Sequence, residues 1–207
     1  MKLFAIGFPK SGTTTLTVAL RASGLRTVHW RDEDRIFVGA KIYDGLFTSG
    51  DPFAGLTNYD AITQADVCIP SANINFWPNL DFAVLRAIRR MHPTCLLLLN
   101  YRRPEAICDS MMRWPEMQER FTESEIPGLP MRVGGSREHL MKWIENHFDA
   151  CRHFFRDDPH FLEIDIESDD APVKLGEALG IPIKGWGHYK PSETVANKIE
   201  VVRRADG

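Results

Sequence analysis

Gly7 and Gly12 stand five residues apart, with Pro9, Lys10 and Ser11 between them and Thr13, Thr14 and Thr15 behind. Glycines at that spacing let a chain curl so that successive N–H groups point at one anion, and neighbouring hydroxyls add donors. The segment nearly fits the nucleotide-phosphate pattern G-x-x-x-x-G-K-[ST]. Thr14 fills the hydroxyl position, but Thr13 occupies the lysine position and the cation, Lys10, lies inside the loop. Triphosphate hydrolysis also needs Mg²⁺, usually held by an acid at the end of a buried strand. The most apolar strand candidate, CLLLL, ends in Asn100, and Asp165 behind FLEI is a weaker substitute. The expectation is a loop for phosphate or sulfate oxygens that does not hydrolyse ATP.

Such a loop needs a strand before it and a helix behind it. Residues 3–7 are apolar and end in Gly-Phe-Pro, a buried strand running into a loop. Residues 14–23 read as a helix closed by Gly24, and 25–30 as a second strand. Residues 37–59 carry Gly39, Gly45, Gly50, Pro52 and Gly55 and read as mostly loop with one helical turn at most. A short strand is expected within 60–70, and an amphipathic helix over 80–91 with Phe82, Leu85, Ile88 and Met91 on one face. The run at 95–100, apolar up to its terminal Asn100, predicts a central strand buried on both faces. Pro104 opens the next helix. Residues 115–136, rich in proline and glycine, read as a long loop or lid with at most one short helix. The longest helical pattern covers 137–155, HFLEIDI is a further strand, and 172–179 is a helix closed by Gly180. From Ile183 onward there is no clear periodicity. This alternation predicts an α/β protein of one domain, 1–207, with three layers (α/β/α) around a central parallel sheet.

Composition narrows the partners. With 43% hydrophobic and 26% charged residues and a net charge of −3, the chain gives no general reason for nucleic-acid or membrane-surface binding. An anion site must then be local. Cys68, Cys95, Cys108 and Cys151 form no C-x-x-C pair, so a zinc site is not expected and nothing calls for an oxidising compartment. No signal peptide and no apolar stretch of about 20 residues is seen, and the expected location is cytoplasmic.

PKSGTTTL resembles the 5′-phosphosulfate loop of sulfotransferases, which use 3′-phosphoadenosine 5′-phosphosulfate (PAPS). Residues 9–14 reproduce that family's usual core, P-K-S-G-T-T. Its second motif is an arginine just after the central strand and a serine eight residues later. NYRRPEAICDS supplies Arg102 and Ser110 at that spacing, with Pro104 where the family often has proline. YDAITQADVCIP and FLEIDIESDDAPVKLGEALGIP also resemble small sulfotransferases, so the likeness spans most of the chain. It implies a P-loop-NTPase-like sulfotransferase fold and sulfuryl transfer from PAPS, without a required metal, leaving 3′-phosphoadenosine 5′-phosphate (PAP). Pro9, Lys10, Ser11, Gly12, Thr13 and Thr14 would hold the 5′-phosphosulfate, with Lys10 against the leaving phosphate. Arg102 with Ser110 would hold the 3′-phosphate, unless a one-residue shift gives that contact to Arg103.

The acceptor hydroxyl or amine needs a base, commonly His or Glu in that family. Asp66, at the end of the strand before the central one, and His29, with Glu33 behind it, are the candidates here. Some members stack an aromatic on adenine right after the loop, where this chain has Thr15. Trp186 or Tyr189 would then stack, with Lys184 and Lys190 approaching the 3′-phosphate and 183–207 covering the nucleotide. His139, His147, His153 and His160 have irregular spacing and read as surface residues. Residues 111–117 with Phe121 either line an acceptor pocket under the 115–136 lid or pack the core, and 47–59 would form the opposite wall. The acceptor class (sugar, lipid, phenol or natural product) and the oligomeric state are open. A Mg²⁺-dependent kinase using Arg102, Arg103 and Asp165, and a catalytically silent nucleotide-binding protein, are the rivals.

Overall fold

The computed structural model describes residues 1–187. Within them β1 (Leu3–Ala5), α1 (Thr13–Ala22), β2 (Thr27–His29), α2 (Val38–Ser49) and β3 (Ala61–Gln64) form the first half. A hairpin follows, β4 (Val67–Ile69) and β5 (Ile74–Phe76), then α3 (Phe82–Met91) and β6 (Leu96–Tyr101). Helices α4 (Pro104–Met112), α5 (Pro115–Glu123) and α6 (Arg137–Phe154), strand β7 (Phe161–Asp165) and α7 (Ala171–Leu179) complete the order. The main sheet is parallel throughout, in the order β2-β3-β1-β6-β7.

Alternation along the strands divides the core in two. Leu3, Ala5, Ala61, Leu96, Leu98 and Ile164 face α1 and α7, where they meet Leu16, Leu20, Ala171 and Leu175. Phe4, Ile62, Leu97 and Leu99 face the other way, against side chains of α2, α3, α4 and α6. Residues 97–99 are fully buried, as both-faced burial of a central strand requires. Each such leucine contributes roughly 2 kcal/mol of apolar burial. The α/β class and the layers expected from sequence are therefore present.

Helix ends follow local rules. The Asp81 carboxylate accepts from the N–H groups of Ala83 and Val84, and Ser136 Oγ accepts from His139 N–H. Pro104 stands at the start of α4, and Gly180 closes α7 at φ 67°.

Several expectations fail. Residues 37–59 are not mostly loop, since α2 spans twelve of them. Its interior glycines serve close packing: a Cβ at Gly39 would lie 2.4 Å from the Ala65 carbonyl, and one at Gly45 would lie 2.5 Å from that of Asp51. Nor does the 47–59 stretch face the loop after β1. Asp51 bonds His92, just ahead of β6, at the edge where the strands begin. The stretch 60–70 holds two strands, the second turning out of the sheet into the antiparallel β4–β5 hairpin. Met91 is 46% exposed, and Val84 and Ala87 join Leu85 and Ile88 on the buried face of α3. His147 is not a surface residue: it is buried in α6 and donates to the Ile6 carbonyl at 2.9 Å. Residues 115–136 do match the expectation of at most one short helix: α5 is followed by irregular chain.

Strand order reverses between β1 and β6: from β1 the chain crosses to the edge strand β2 and returns to β3 on one side, then adds β6 and β7 on the other. The loops leaving β1 and β6 diverge there, which opens a crevice beyond the strand ends where α/β proteins bind ligands.

Candidate functional site

The loop after β1 is shaped by side chains from distant segments. Lys10 and Gly12 both adopt left-handed backbone, φ 72° and 78°. At Gly12 the absence of a side chain is essential, since a Cβ would lie 2.3 Å from Ile166 Cγ1. Asn100, fully buried at the end of β6, accepts from Gly7 N–H at 3.0 Å and donates to the Ser11 carbonyl at 2.9 Å and to Ser11 Oγ. Ser11 Oγ in turn donates to the Phe8 carbonyl at 2.6 Å, and Asn79 Nδ2 to the Gly7 carbonyl at 2.9 Å. Asn100 is thus the strut that holds the loop open. Its position at the end of an otherwise apolar strand was the signal available in sequence.

With the loop pinned from behind, its front is free to bind. Among the described residues, the N–H groups of Gly12, Thr13, Thr14 and Thr15 donate to no acceptor. These are the orphan donors of the α1 N-terminus, where the helix dipole is positive. Ser11 Oγ points back into the protein, so its hydroxyl is structural, whereas Thr14 is half-buried at the opening. Pro9 is buried and shapes the turn without a donor of its own.

The second motif meets the first. Arg102 Nη1 donates to the Lys10 carbonyl at 3.1 Å, across the β1–β6 crevice. Arg103 points outward, with a side chain 69% exposed. Between the two alternatives left by the sequence, Arg102 is the one against the loop. Its Nε donates to Glu167 at 2.9 Å, and Arg103 lies 3.6 Å from the same carboxylate. Burial opposes ionisation of Glu167, yet the hydrogen bond and charge of Arg102, with Arg103 behind, hold its carboxyl below the usual range. An incoming anion would exchange with that carboxylate. Ser110 is half-buried on α4, and its hydroxyl makes no hydrogen bond to the described residues. It stands two turns beyond Arg103 on the same helical face, about 10 Å along the axis. Asp165, the acid a Mg²⁺ site would use, accepts from Glu167 N–H at 3.0 Å and so braces the turn after β7.

Lys10 Nζ lies 3.6 Å above the centroid of the Trp114 ring, at the corner between α4 and α5. Burial, then the charges of Arg113 and Arg120, lower its pKa to about 8. On the far side of the loop, Thr13 Oγ1 donates to Gln64 Oε1 at 3.2 Å, and Gln64 Nε2 donates to Asp66 Oδ2 at 3.1 Å. Asp66 is only 5% exposed, and burial lifts its pKa to about 7 against the lowering effects of Gln64 and Arg120. A two-bond relay therefore joins the loop to a carboxyl poised near neutrality. An isolated glutamine at a strand end carries no signal in sequence, so the role of Gln64 shows only in the structure.

His29 is placed differently. Its Nδ1 lies 3.1 Å from Thr17 Oγ1 and 3.2 Å from Thr63 Oγ1, behind the second turn of α1. Burial and then Arg21 lower its pKa to about 4. It is a weak base within a threonine network, and Asp66 is the better matched of the two candidates.

The tail runs back along α1. Lys184 N–H donates to Ser23 Oγ at 2.9 Å, and Thr15 Oγ1 donates to the Gly187 carbonyl at 3.1 Å. Lys184 therefore sits at the helix end remote from the loop. Trp186 packs against the core cluster under α1 and α7. Tyr189 and Lys190 lie outside the described residues.

Of the proposed pocket residues, Met111, Met117 and Phe121 are buried core. The cavity between Met111, Phe121 and Leu140 offers about 10 Å³, room for one water. A wider surface depression of about 430 Å³ lies by His153 and residues 156–158, ahead of β7 and away from the loop. Among the described residues, no three His, Cys, Asp or Glu side chains converge as metal ligands would, and no helix is long and apolar enough to cross a membrane. No protein-family model matches this chain, and no curated protein does.

Proposed function

We propose that the chain transfers a sulfuryl group from PAPS to a hydroxyl or amine acceptor. The observation that carries this reading is the bond from Arg102 Nη1 to the Lys10 carbonyl. It makes the loop after β1 and the arginine after β6 walls of one crevice, as a nucleotide phosphorylated at both ends demands. The chemistry of the donor set fits such a ligand: free helix N–H groups, a half-buried lysine and a half-buried arginine.

PAPS supplies an activated sulfuryl group when bound. The N–H groups of Gly12 to Thr15 and the Thr14 hydroxyl would hold the sulfate and 5′-phosphate oxygens. Lys10, which is free of any carboxylate partner among the described residues, would turn from Trp114 to the bridging oxygen as charge develops there. Arg102, released from Glu167, would take the 3′-phosphate, with Ser110 as a second donor. Asp66 would receive the acceptor's proton, its pKa of about 7 being well matched to that task. Acceptor oxygen and sulfur form one bond while the sulfur–oxygen bond to the 5′-phosphate breaks, and its electron pair stays on that phosphate.

Calorimetric titration with PAP and with ADP tests the reading. A phosphate gained on Arg102 is a charge-assisted contact, so PAP is expected to bind about tenfold or more tighter. Equal or tighter binding of ADP overturns it.

A further inference from the structure

The corner between α4 and α5 presents more positive charge than the donor would use. Arg113 and Trp114 form the corner itself, and Arg120 follows within α5. The Trp114 ring lies under Lys10 Nζ, and the guanidinium charges of Arg113 and Arg120 both act on that lysine. Arg120 is also held beside Asp66. Its own carbonyl accepts from Cys68 Sγ at 3.8 Å in β4, two residues past Asp66, and its charge acts on that carboxyl.

Neutralisation at this corner is incomplete. Arg120 pairs with Glu116 at 3.1 Å, on the exposed side of α5. Among the described residues, Lys10 and Arg113 have no carboxylate within salt-bridge reach. Arg31, in the loop after β2, also lacks one and is stacked 4.1 Å from the Phe37 ring centroid. The β2–α2 loop leaves the same sheet edge, since Trp30 N–H donates to the Gln64 carbonyl at 2.9 Å. Lys10 and Arg120 are half-buried while Arg113 is exposed, and crowding like charges around a half-buried lysine is unfavourable unless a ligand offsets it.

We infer that the acceptor is itself an anion: a hydroxyl compound bearing a carboxylate, phosphate or sulfate group that Arg113 and Arg120 hold beside Trp114. This rests on the donor reading, in which the free N–H groups and Lys10 take the 5′-phosphosulfate and Arg102 takes the 3′-phosphate. Arg113 and Arg120 then have no donor group left to bind. Arg113 acts on Lys10 at the transfer point, and Arg120 acts on both Lys10 and the proton acceptor Asp66, so the pair borders the place where the acceptor must sit. The half-buried Trp114 ring offers a flat apolar surface for the body of that molecule.

The test uses matched pairs that differ by one charge: 4-hydroxyphenylacetate against 4-methylphenol, methyl glucuronide against methyl glucoside, and a sulfated against an unsulfated disaccharide. Each is titrated calorimetrically into the full chain saturated with PAP, so that turnover is not required, and transfer from PAPS is then followed for those that bind. The anionic member of at least one pair is expected to bind about tenfold tighter, and Arg113→Ala with Arg120→Ala to erase that preference. PAP affinity of the double variant, which also reports its folding, should stay within about twofold of the original. Normal PAP binding with no charge preference, or with no pair bound, refutes the anionic acceptor alone. A comparable loss of PAP affinity in the double variant assigns the arginines to the donor and refutes it too. Failure of the original chain to bind PAP refutes the donor reading and takes this inference with it.

Discussion

Asp66 offers a test that needs neither donor nor acceptor. Its carboxyl is 5% exposed and has one side-chain donor, Gln64, at 3.1 Å. Burial raises its pKa from 3.8 to about 7. The folded state therefore keeps a proton that the unfolded chain releases between those values. For such a raised carboxyl the stabilising contribution is complete below about pH 3.8 and is lost as pH climbs through about 7. At 1.36 kcal/mol per pKa unit the loss is roughly 4 kcal/mol above neutrality, an upper value because water can relax around the ionised group. Asp66→Asn keeps the shape and an acceptor for Gln64 but cannot ionise. The variant should match the original protein near pH 4 and gain stability steadily to about pH 8. For a domain of this size the gain corresponds to roughly 10 °C in melting temperature. Urea and thermal unfolding at pH 4.5, 6 and 8 measure it. A difference that stays constant with pH, or a less stable variant at pH 8, refutes the claim that Asp66 is ionised at a cost. A carboxylate kept in an unfavourable place is what a proton acceptor requires, and on the reading proposed here the stabilised variant loses sulfuryl transfer.

Two further outcomes follow from the loop and its relay. Asn100→Ala removes the partner of Gly7 N–H and of the Ser11 carbonyl, both buried, and should destabilise the chain by roughly 2–5 kcal/mol. A melting temperature within a degree or two of the original would show that Asn100 is not the strut. Gln64→Leu removes the donor that lowers the Asp66 pKa, so the Asp66 carboxyl should titrate at higher pH still. Carboxyl carbon NMR reads this directly, and an unchanged or more acidic midpoint would break the proposed relay.

Much of the frame was legible because it depends on neighbours in the chain. The apolar run of β6, the proline opening α4, the glycine closing α7 and the glycine spacing before α1 act over a few residues each. For the same reason the loop residues and the arginine after β6 could be named in advance. Where a residue type has two uses, local reading failed. Gly39 and Gly45 read as loop-formers, yet they are places where α2 meets other backbone too closely for a Cβ. His147 read as polar surface, yet its ring N–H answers the Ile6 carbonyl inside the core.

The sequence by itself determined the alternating α/β frame and a backbone turn able to hold an anion. Only the tertiary structure decided what surrounds that turn. The bond from Gly7 to Asn100 spans 93 residues, and those from Arg102 to Lys10 and from Thr13 to Gln64 span 92 and 51. The same packing brings the α4–α5 corner over Lys10 and Gln64 beside Asp66. Turn and strand preferences are settled by steric and hydrophobic terms within a few residues. Which charges meet across a crevice is set by strand order, and hydrophobic burial fixes that order without regard to the polar groups it brings together.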